Sequence, residues 1–230
     1  MTLDLRRVAA PNVAQSLAEL HRGTEPGDRR QVRFGAAVDP TRRLDLALGA
    51  GFSAVRGAAT SVTTLERFWS LPDTVNGQMR VLISGLNPSP AAADAGVGFA
   101  RPGNRFWPAA LAVGLVGRDR DPIHALSTDG VGMTDIVKRT TRKAYELHRQ
   151  EYEEGMARLD RMTRWLKPRA VCFVGLSGWR AAVDQKAIVG WQEHRVGGRP
   201  TYLMPSTSGL NASSQLPDFV EHLRAVKLGR

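Results

Sequence analysis

Four short apolar runs, separated by helical stretches, restrict the fold of this chain more than any other feature of its sequence. The longest helical stretch, residues 152–166, carries apolar side chains every three or four positions, which predicts an amphipathic helix. Strands that alternate with helices are typical of a parallel sheet covered on both faces. We therefore predict a single three-layer α/β/α domain with a central, mainly parallel sheet of four to five strands. The runs are residues 80–86, 130–137, 170–174 and 201–204.

Residues 1–78 do not follow this alternation. Short helices are predicted at residues 13–20 and 64–69, and the Gly- and Arg-rich stretches between them have no sustained period. We expect an N-terminal extension that is partly helical or mobile, followed by the main domain at residues 79–230.

The net charge of +10 results from 32 basic and 22 acidic side chains, and residues 1–78 hold only 10 and 8 of them. The excess in the rest of the chain favours a polyanionic partner, although a surface charged for solubility is the alternative. Cys172 is the only cysteine, which excludes an internal disulfide and cysteine-rich metal sites. The sequence has no apolar run of about 18 residues and no N-terminal apolar segment typical of a signal peptide.

The loop after the first predicted strand is the first place to look for chemistry, because ligands of such sheets bind beyond the carboxyl ends of strands. Asn87 lies between Leu86 and Pro88, whose ring restricts the backbone. Phe99 follows a Gly-rich stretch, and an aromatic ring beside backbone N–H groups is suited to hold a flipped nucleobase. The alternative is that Asn87 caps a turn and that Phe99, Phe106 and Trp107 belong to the core.

Three motifs around these residues resemble, in order and spacing, those of the mismatch-specific uracil/thymine-DNA glycosylase family. They are GLNPSP at 85–90, FARPGNRFW at 99–107 and MPSTSGLNA at 204–212, and GVGMTDIVKRTTRKA at 130–144 resembles the middle segment. The resemblance covers residues 80 to 226. It implies a uracil-DNA glycosylase-like catalytic domain that flips uracil out of double-stranded DNA and hydrolyses its N-glycosidic bond, which initiates base excision repair. The expected substrates are G:U mismatches and, further, other modified pyrimidines or thymine.

The resemblance also implies roles for individual residues. Asn87 matches the asparagine that positions the attacking water, and Phe99 matches the aromatic residue that stacks on uracil. Backbone N–H groups near Leu86 and Phe99 would read the carbonyl edges of the base. Leu210 falls at the wedge position, where it would fill the gap left by the flipped base. Further contacts to the DNA, several of them to phosphates, are expected from Gly209, Asn211, Ser206, Ser208 and Arg180.

Departures from the family pattern matter as well. An amide cannot accept a proton from water at neutral pH, so Asp94 in the same loop is a candidate general base, with a solvent-facing loop residue as the alternative. Asp135 is a weaker candidate that would more readily cap a strand or turn. Ser89 stands where the family often has glycine. Met204 stands where stronger uracil-DNA glycosylases carry a histidine, which implies a slow enzyme.

Two other functions are compatible with parts of the sequence. One is a non-catalytic DNA-binding module that uses the basic surface. The other is an α/β serine hydrolase with Ser177 as nucleophile, although VGLSG misses the G-x-S-x-G spacing by one residue. We expect a monomer without metal or organic cofactor that acts on double-stranded DNA containing uracil or a mismatched pyrimidine. The expected location is cytoplasmic, away from membranes, and nucleoid-associated in a bacterium.

Overall fold

The computed structural model describes residues 2–57 and 60–229. Its strands are β1 Thr2–Asp4, β2 Arg29–Arg33, β3 Phe52–Arg56, β4 Val62–Arg67, β5 Val81–Gly85, β6 Val131–Asp135, β7 Ala170–Val174, β8 Gly190–Val196 and β9 Arg199–Met204. Its α-helices are α1 Val13–Arg22, α2 Pro40–Gly49, α3 Pro90–Ala95, α4 Phe106–Ala112, α5 Pro122–Ser127, α6 Arg149–Leu166, α7 Ser177–Ala182 and α8 Leu216–Leu228. No helix in these two ranges is both long enough and apolar enough to cross a membrane.

The central sheet has five strands in the order β6-β5-β7-β9-β8, and all neighbours except β8 and β9 are parallel. Successive side chains of β5 point to opposite faces, as a buried strand requires. Leu82 packs into the core that contains α6 and α7, whereas Val81 and Ile83 pack into the core that contains α4 and α8. The predicted three-layer α/β/α fold is confirmed.

The N-terminal residues form a second sheet, in the order β1-β2-β4-β3, which the sequence analysis missed. The helix predicted at 13–20 is present as α1, but the helix predicted at 64–69 is wrong because these residues belong mostly to β4. Consecutive β-branched residues favour a strand there, and Thr63 and Leu65 alternate with more exposed neighbours. The extension, which was expected to be partly helical or mobile, contains helices α1 and α2 as well as this sheet, so it is a mixed α/β unit. The division at residue 78 stays a prediction.

Both units share one hydrophobic core, in which Val32 and Leu65 join Leu82 and Leu159. Three further elements of the main domain were missed, namely helices α3 and α7 and strand β8. Helix α3 lies in the loop expected to be Gly-rich and irregular, and β8 is a polar edge strand whose exposed Glu193, His194 and Arg195 conceal it from an apolar pattern.

Residues 69–76, here called the strap, connect the two sheets and lie along the edge of β6. The backbone N–H and C=O groups of Thr74 bond those of Met133 at 2.9 and 2.8 Å. Beside this pair, the buried carboxylate of Asp73 accepts three hydrogen bonds of 2.7 Å, from Lys138 Nζ, Arg158 Nη1 and Thr134 Oγ1. Burial alone would raise the pKa of Asp73, but Arg158 and Lys138 hold it below its ordinary value. The Asp73 network therefore joins the strap to β6 and α6 through paired charges.

We predict that Asp73→Asn lowers the free energy of unfolding by about 3–5 kcal/mol, because it leaves two cations buried without a full counter-charge. Urea unfolding measures this difference. Asp45→Asn is the matched control, since it breaks a pair between α2 and α6 whose Arg161 is half exposed, and it should cost less than about 1 kcal/mol. Equal losses for the two variants would contradict a dominant role for the buried network.

Candidate active site

Asn87 follows the carboxyl end of β5, and its side-chain amide is held in one orientation. Nδ2 donates to the Arg139 carbonyl at 3.0 Å and to Thr141 Oγ1 at 2.8 Å, and the Thr141 hydroxyl in turn donates to the Lys143 carbonyl at 3.0 Å. A carbonyl oxygen can only accept, so this network assigns the NH₂ group to that side. Oδ1 accepts no hydrogen bond from the described residues. It is therefore available to accept one from a water molecule.

Phe99 lies half-buried above the core with one face of its ring covered. Its ring stacks on Phe106 with centroids 4.4 Å apart and planes 26° from parallel. Phe106 and Trp107 are fully buried, so the core interpretation is confirmed for these two aromatics and not for Phe99. The backbone of Phe99 has φ of 59°, a left-handed conformation that bulky residues rarely adopt and that often marks a functional site. Trp107 Nε1 donates to the carbonyl of Gly98, the residue before Phe99, at 2.8 Å and thereby fixes it.

A small cavity beside Phe99 is lined by Gly98, Thr134 and Asp135 and, from the strap, by Leu71 and Thr74. The Asp135 carboxyl reaches the backbone of Gly85, where a Cβ atom would lie 2.3 Å from Asp135 Oδ1 and 3.6 Å from the Phe99 ring. Only glycine allows this close approach. Asp135 thus lines the cavity beside Phe99. The sequence analysis had favoured a capping role for it.

The environment of Asp135 alters its ionisation. Burial raises the pKa of its carboxyl from 3.8 to about 6, and Asp73 adds to this, while Lys138 and Arg158 oppose it. A group with such a perturbed pKa in a concave site is a candidate for chemistry or recognition.

The wedge candidate Leu210 is 75% exposed on the loop between β9 and α8, residues 205–215, here called the wedge loop. This loop is held from inside by Arg105 of the FARPGNRFW motif. Its guanidinium donates to the carbonyl groups of Ser208, Asn211 and Ser214 at 2.8, 2.6 and 2.6 Å. The Arg105 backbone N–H also bonds the Thr207 carbonyl at 2.9 Å. The loop backbone is therefore fixed while Leu210 points into solvent.

Other predicted site residues lie around this centre. Asp94 is exposed on α3, where Oδ1 accepts a hydrogen bond of 2.9 Å from Trp69 Nε1 of the strap. Leu86 is half-buried after β5, and its carbonyl accepts from Val137 N–H at 2.9 Å. Ser206 and Gly209 are exposed and Ser208 and Asn211 half-exposed on the wedge loop. The guanidinium of Arg180, on α7, bonds the Ala187 carbonyl at 2.8 and 2.9 Å.

Three contributors to the site carried no recognised signal in the sequence. Thr141 orients Asn87, Arg105 supports the wedge loop and Leu71 closes the cavity from the strap. Thr141 and Arg105 lie inside quoted motifs, whereas Leu71 precedes them all. Ser89 stands where the family often has glycine. Its hydroxyl caps α3 by accepting a hydrogen bond from the Ala92 N–H at 3.3 Å.

Other possible active sites have less support. Within the described ranges no three His, Cys, Asp or Glu side chains are grouped as metal ligands. In the same ranges Ser177 has no hydrogen bond to a histidine, so it lacks the base that a serine nucleophile needs. A separate cavity of about 380 Å³ between α2 and α6 contains none of the predicted site residues.

Comparison with known proteins places the chain in a family. Residues 72–227 match the uracil DNA glycosylase superfamily, and the chain belongs to this superfamily. It is accordingly a DNA glycosylase, an enzyme that hydrolyses an N-glycosyl bond. The chain is also similar to a solution NMR structure of a candidate uracil DNA glycosylase from Methanosarcina acetivorans. The two share 20% identity over 69% of this chain and 97% of the other, with a TM-score of 0.45.

We predict that Arg105→Lys lowers uracil excision from duplex DNA by about tenfold or more, because a single ammonium cannot replace the guanidinium fork on three carbonyls. Excision from single-stranded DNA should fall much less, since no base stack must be held open there. The control is Arg101→Lys, an exposed arginine of the same motif. Equal losses on both kinds of DNA would contradict a role through the wedge loop.

Proposed function

We propose that this protein is a monofunctional uracil-DNA glycosylase that extrudes uracil from G:U mismatches in double-stranded DNA. The observation that carries the proposal is the pairing of an oriented amide, Asn87, with an aromatic ring, Phe99, that has one face covered by Phe106. Phe99 lines a cavity that also contains an acid, Asp135, and Asn87 lies two residues after Gly85, against which Asp135 packs. These groups correspond to the needs of the reaction: a placed water, a stacking surface for the base and a polar group at the base edge.

The proposed reaction breaks the bond between C1′ of the sugar and N1 of uracil. As the base departs with the bonding electrons, C1′ gains positive charge and the base gains negative charge. Water held by Asn87 Oδ1 adds to C1′, and its proton is released as the new hydroxyl group forms. Phe99 stacks on the base, while backbone N–H groups near Leu86 and Phe99 and the acid form of Asp135 stabilise its negative charge.

The ion pair of Lys138, a buried lysine that follows β6, supports water rather than an amine as the nucleophile. Lys138 Nζ is buried and paired with Asp73 at 2.7 Å. An ammonium paired in this way cannot form a Schiff base with the sugar unless the network breaks.

Duplex DNA as the substrate is supported by the wedge loop and by charge. An exposed leucine on a fixed loop suits the insertion of an apolar side chain into a base stack, which single strands do not require. The net charge of +10 favours binding to phosphates, with Ser206, Ser208 and Arg180 as proposed contacts. A G:U mismatch lowers the cost of extrusion, which matters for an enzyme with buried Met204 in place of a donor to the leaving base.

Asp94 remains a proposed general base, and its hydrogen bond to Trp69 offers a way to separate two roles. Asp94→Asn removes basicity, and Trp69→Phe removes the indole N–H that donates to this carboxylate, together with the five-membered ring, but leaves the carboxylate itself in place. A loss confined to Asp94→Asn supports proton transfer, whereas equal losses support a role in attaching the strap to α3.

The proposed function is tested with a duplex that carries one G:U pair, followed by alkali to cut abasic sites. The wild-type protein should produce cuts at the uracil. Asn87→Ala should lose about 10²-fold or more in the single-turnover rate but retain affinity for the duplex, because water positioning acts in the transition state. A wild-type protein that binds the duplex without cutting it would support the non-catalytic alternative.

The acid at the cavity predicts a pH dependence. Asp135 is protonated below about pH 6 and becomes a carboxylate above it, where it would repel the departing base. The single-turnover rate should therefore fall as the pH rises through about 6. Asp135→Asn keeps a neutral donor at every pH, so it should remain active and lose this fall. The charged groups that face Asp135 are Asp73, Lys138 and Arg158, which all stay unchanged in this variant. The same fall in Asp135→Asn would contradict the assignment.

A further inference from the structure

The segment after β6 presents a fully accessible aromatic ring close to Asn87. Tyr145 is 84% exposed, although tyrosine more often buries most of its ring. It lies four residues beyond Thr141, the partner of the Asn87 amide. The exposed ring is therefore carried by the same segment as the side chain that orients Asn87.

The backbone beneath Tyr145 is fixed by hydrogen bonds on both sides. Residues Ala144–Glu146 form one turn of 3₁₀ helix. Glu146 Oε1 accepts the Lys143 N–H at 2.7 Å, and Arg139 Nη2 donates to the Glu146 carbonyl at 2.7 Å. The hydroxyl of Thr141 donates to the Lys143 carbonyl at 3.0 Å, so one side chain bonds both the Asn87 amide and this turn. A tyrosine on such a support has little conformational entropy to lose when it binds a partner.

The segment that leads to Tyr145 runs on the β6 side of Asn87, because the backbone N–H groups of Ile136, Val137 and Thr141 bond the carbonyl groups of residues 85, 86 and 88. Leu210 lies on the other side of Asn87 in the strand order. Asn87 follows β5, Tyr145 lies on the segment after β6 and Leu210 on the loop after β9. Neighbouring strands are about 4.8 Å apart, so the ends of β6 and β9 are separated by roughly 14 Å. A duplex is wider than this separation of the strand ends, so one DNA molecule seated over Asn87 covers the ends of both strands and the segments that follow them.

The charges around Tyr145 identify the same partner. Arg142 and Lys143 are exposed, and neither forms an ion pair with any residue between 2 and 57 or 60 and 229. Two unpaired cations next to an exposed ring suit a polyanion with aromatic bases, where the cations bind phosphates and the ring packs on a base or sugar.

We propose that Tyr145 is a second DNA-contacting side chain, which packs its ring on the duplex on the side of Asn87 away from Leu210, with Arg142 and Lys143 on adjacent phosphates. This inference rests on the proposed function, because it takes duplex DNA as the substrate. Leu210 and Tyr145 then contact the duplex on the two sides of the extruded nucleotide.

The test measures the affinity for an undamaged duplex by fluorescence anisotropy over a range of salt concentrations. Tyr145→Ala should weaken binding by about fivefold or more, the effect of truncating an aromatic side chain that packs at an interface. Because tyrosine is neutral, the slope of log K against log salt should not change, whereas Lys143→Ala should lower that slope by about 0.9. Tyr145→Phe should bind like the wild-type protein, since it keeps the ring.

The control is Leu228→Ala, which changes a similarly exposed side chain, 80% accessible. Leu228 lies beside Arg80 and Gly130 at the amino ends of the strands, opposite to Asn87. This variant should leave affinity unchanged. Tyr145→Ala with wild-type affinity, or an equal loss in Leu228→Ala, overturns the proposal. Excision of uracil is measured separately with the wild-type protein, so that failure of the proposed function is distinguished from failure of the Tyr145 contact.

Discussion

The buried carboxylate of Asp73 is the constraint on which the rest of the site depends. It pairs with Lys138 and Arg158 inside the protein, where an unpaired charge would be strongly destabilising. Arg158 also donates to the Asp135 carbonyl at 2.9 Å and to Thr134 Oγ1 at 3.1 Å, and thereby fixes the end of β6. Because the same network holds the strap, the N-terminal unit takes part in building the cavity beside Phe99. The charges of the network also act on the Asp135 carboxyl, so that structural stability and the ionisation of the site have a common origin.

Each side of the site is supported by one polar side chain that does not itself need to touch the substrate. Thr141 bonds both the Asn87 amide and the Lys143 carbonyl on the β6 side, and Arg105 bonds three carbonyl groups of the wedge loop on the β9 side. In the proposed complex with DNA, these fixed backbones let the exposed Leu210 and Tyr145 bind with little loss of entropy. This arrangement explains why the quoted motifs contain polar residues beyond those assigned to the chemistry. Their hydrogen bonds hold the loops in place.

The sequence predicted the central fold because its buried strands are apolar on both faces and alternate with helices. The four expected strands are present, and Ala170–Val174 matches its predicted bounds. The prediction failed where strands are half exposed, as at β4 and β8, since their polar residues hide the pattern. Asn87 and Phe99 could be selected because they lie in dense motifs after a strand. The surroundings of Asp135 could not be predicted, because they depend on its close approach to Gly85 and on Asp73, which is 62 residues away in the sequence. Contacts of that kind depend on the tertiary fold.

The central claim is that an extruded uracil occupies the space between the open face of Phe99 and Asp135. The most direct measurement is a crystal structure with duplex DNA that carries a 2′-fluoro-substituted deoxyuridine opposite guanine, because the fluorine disfavours positive charge at C1′ and slows cleavage. The account predicts uracil stacked on Phe99, its N3–O4 edge within hydrogen-bonding distance of Asp135 and a water bound to Asn87 Oδ1. Uracil that remains stacked in the duplex, or that lies in another cavity such as the one between α2 and α6, would contradict it.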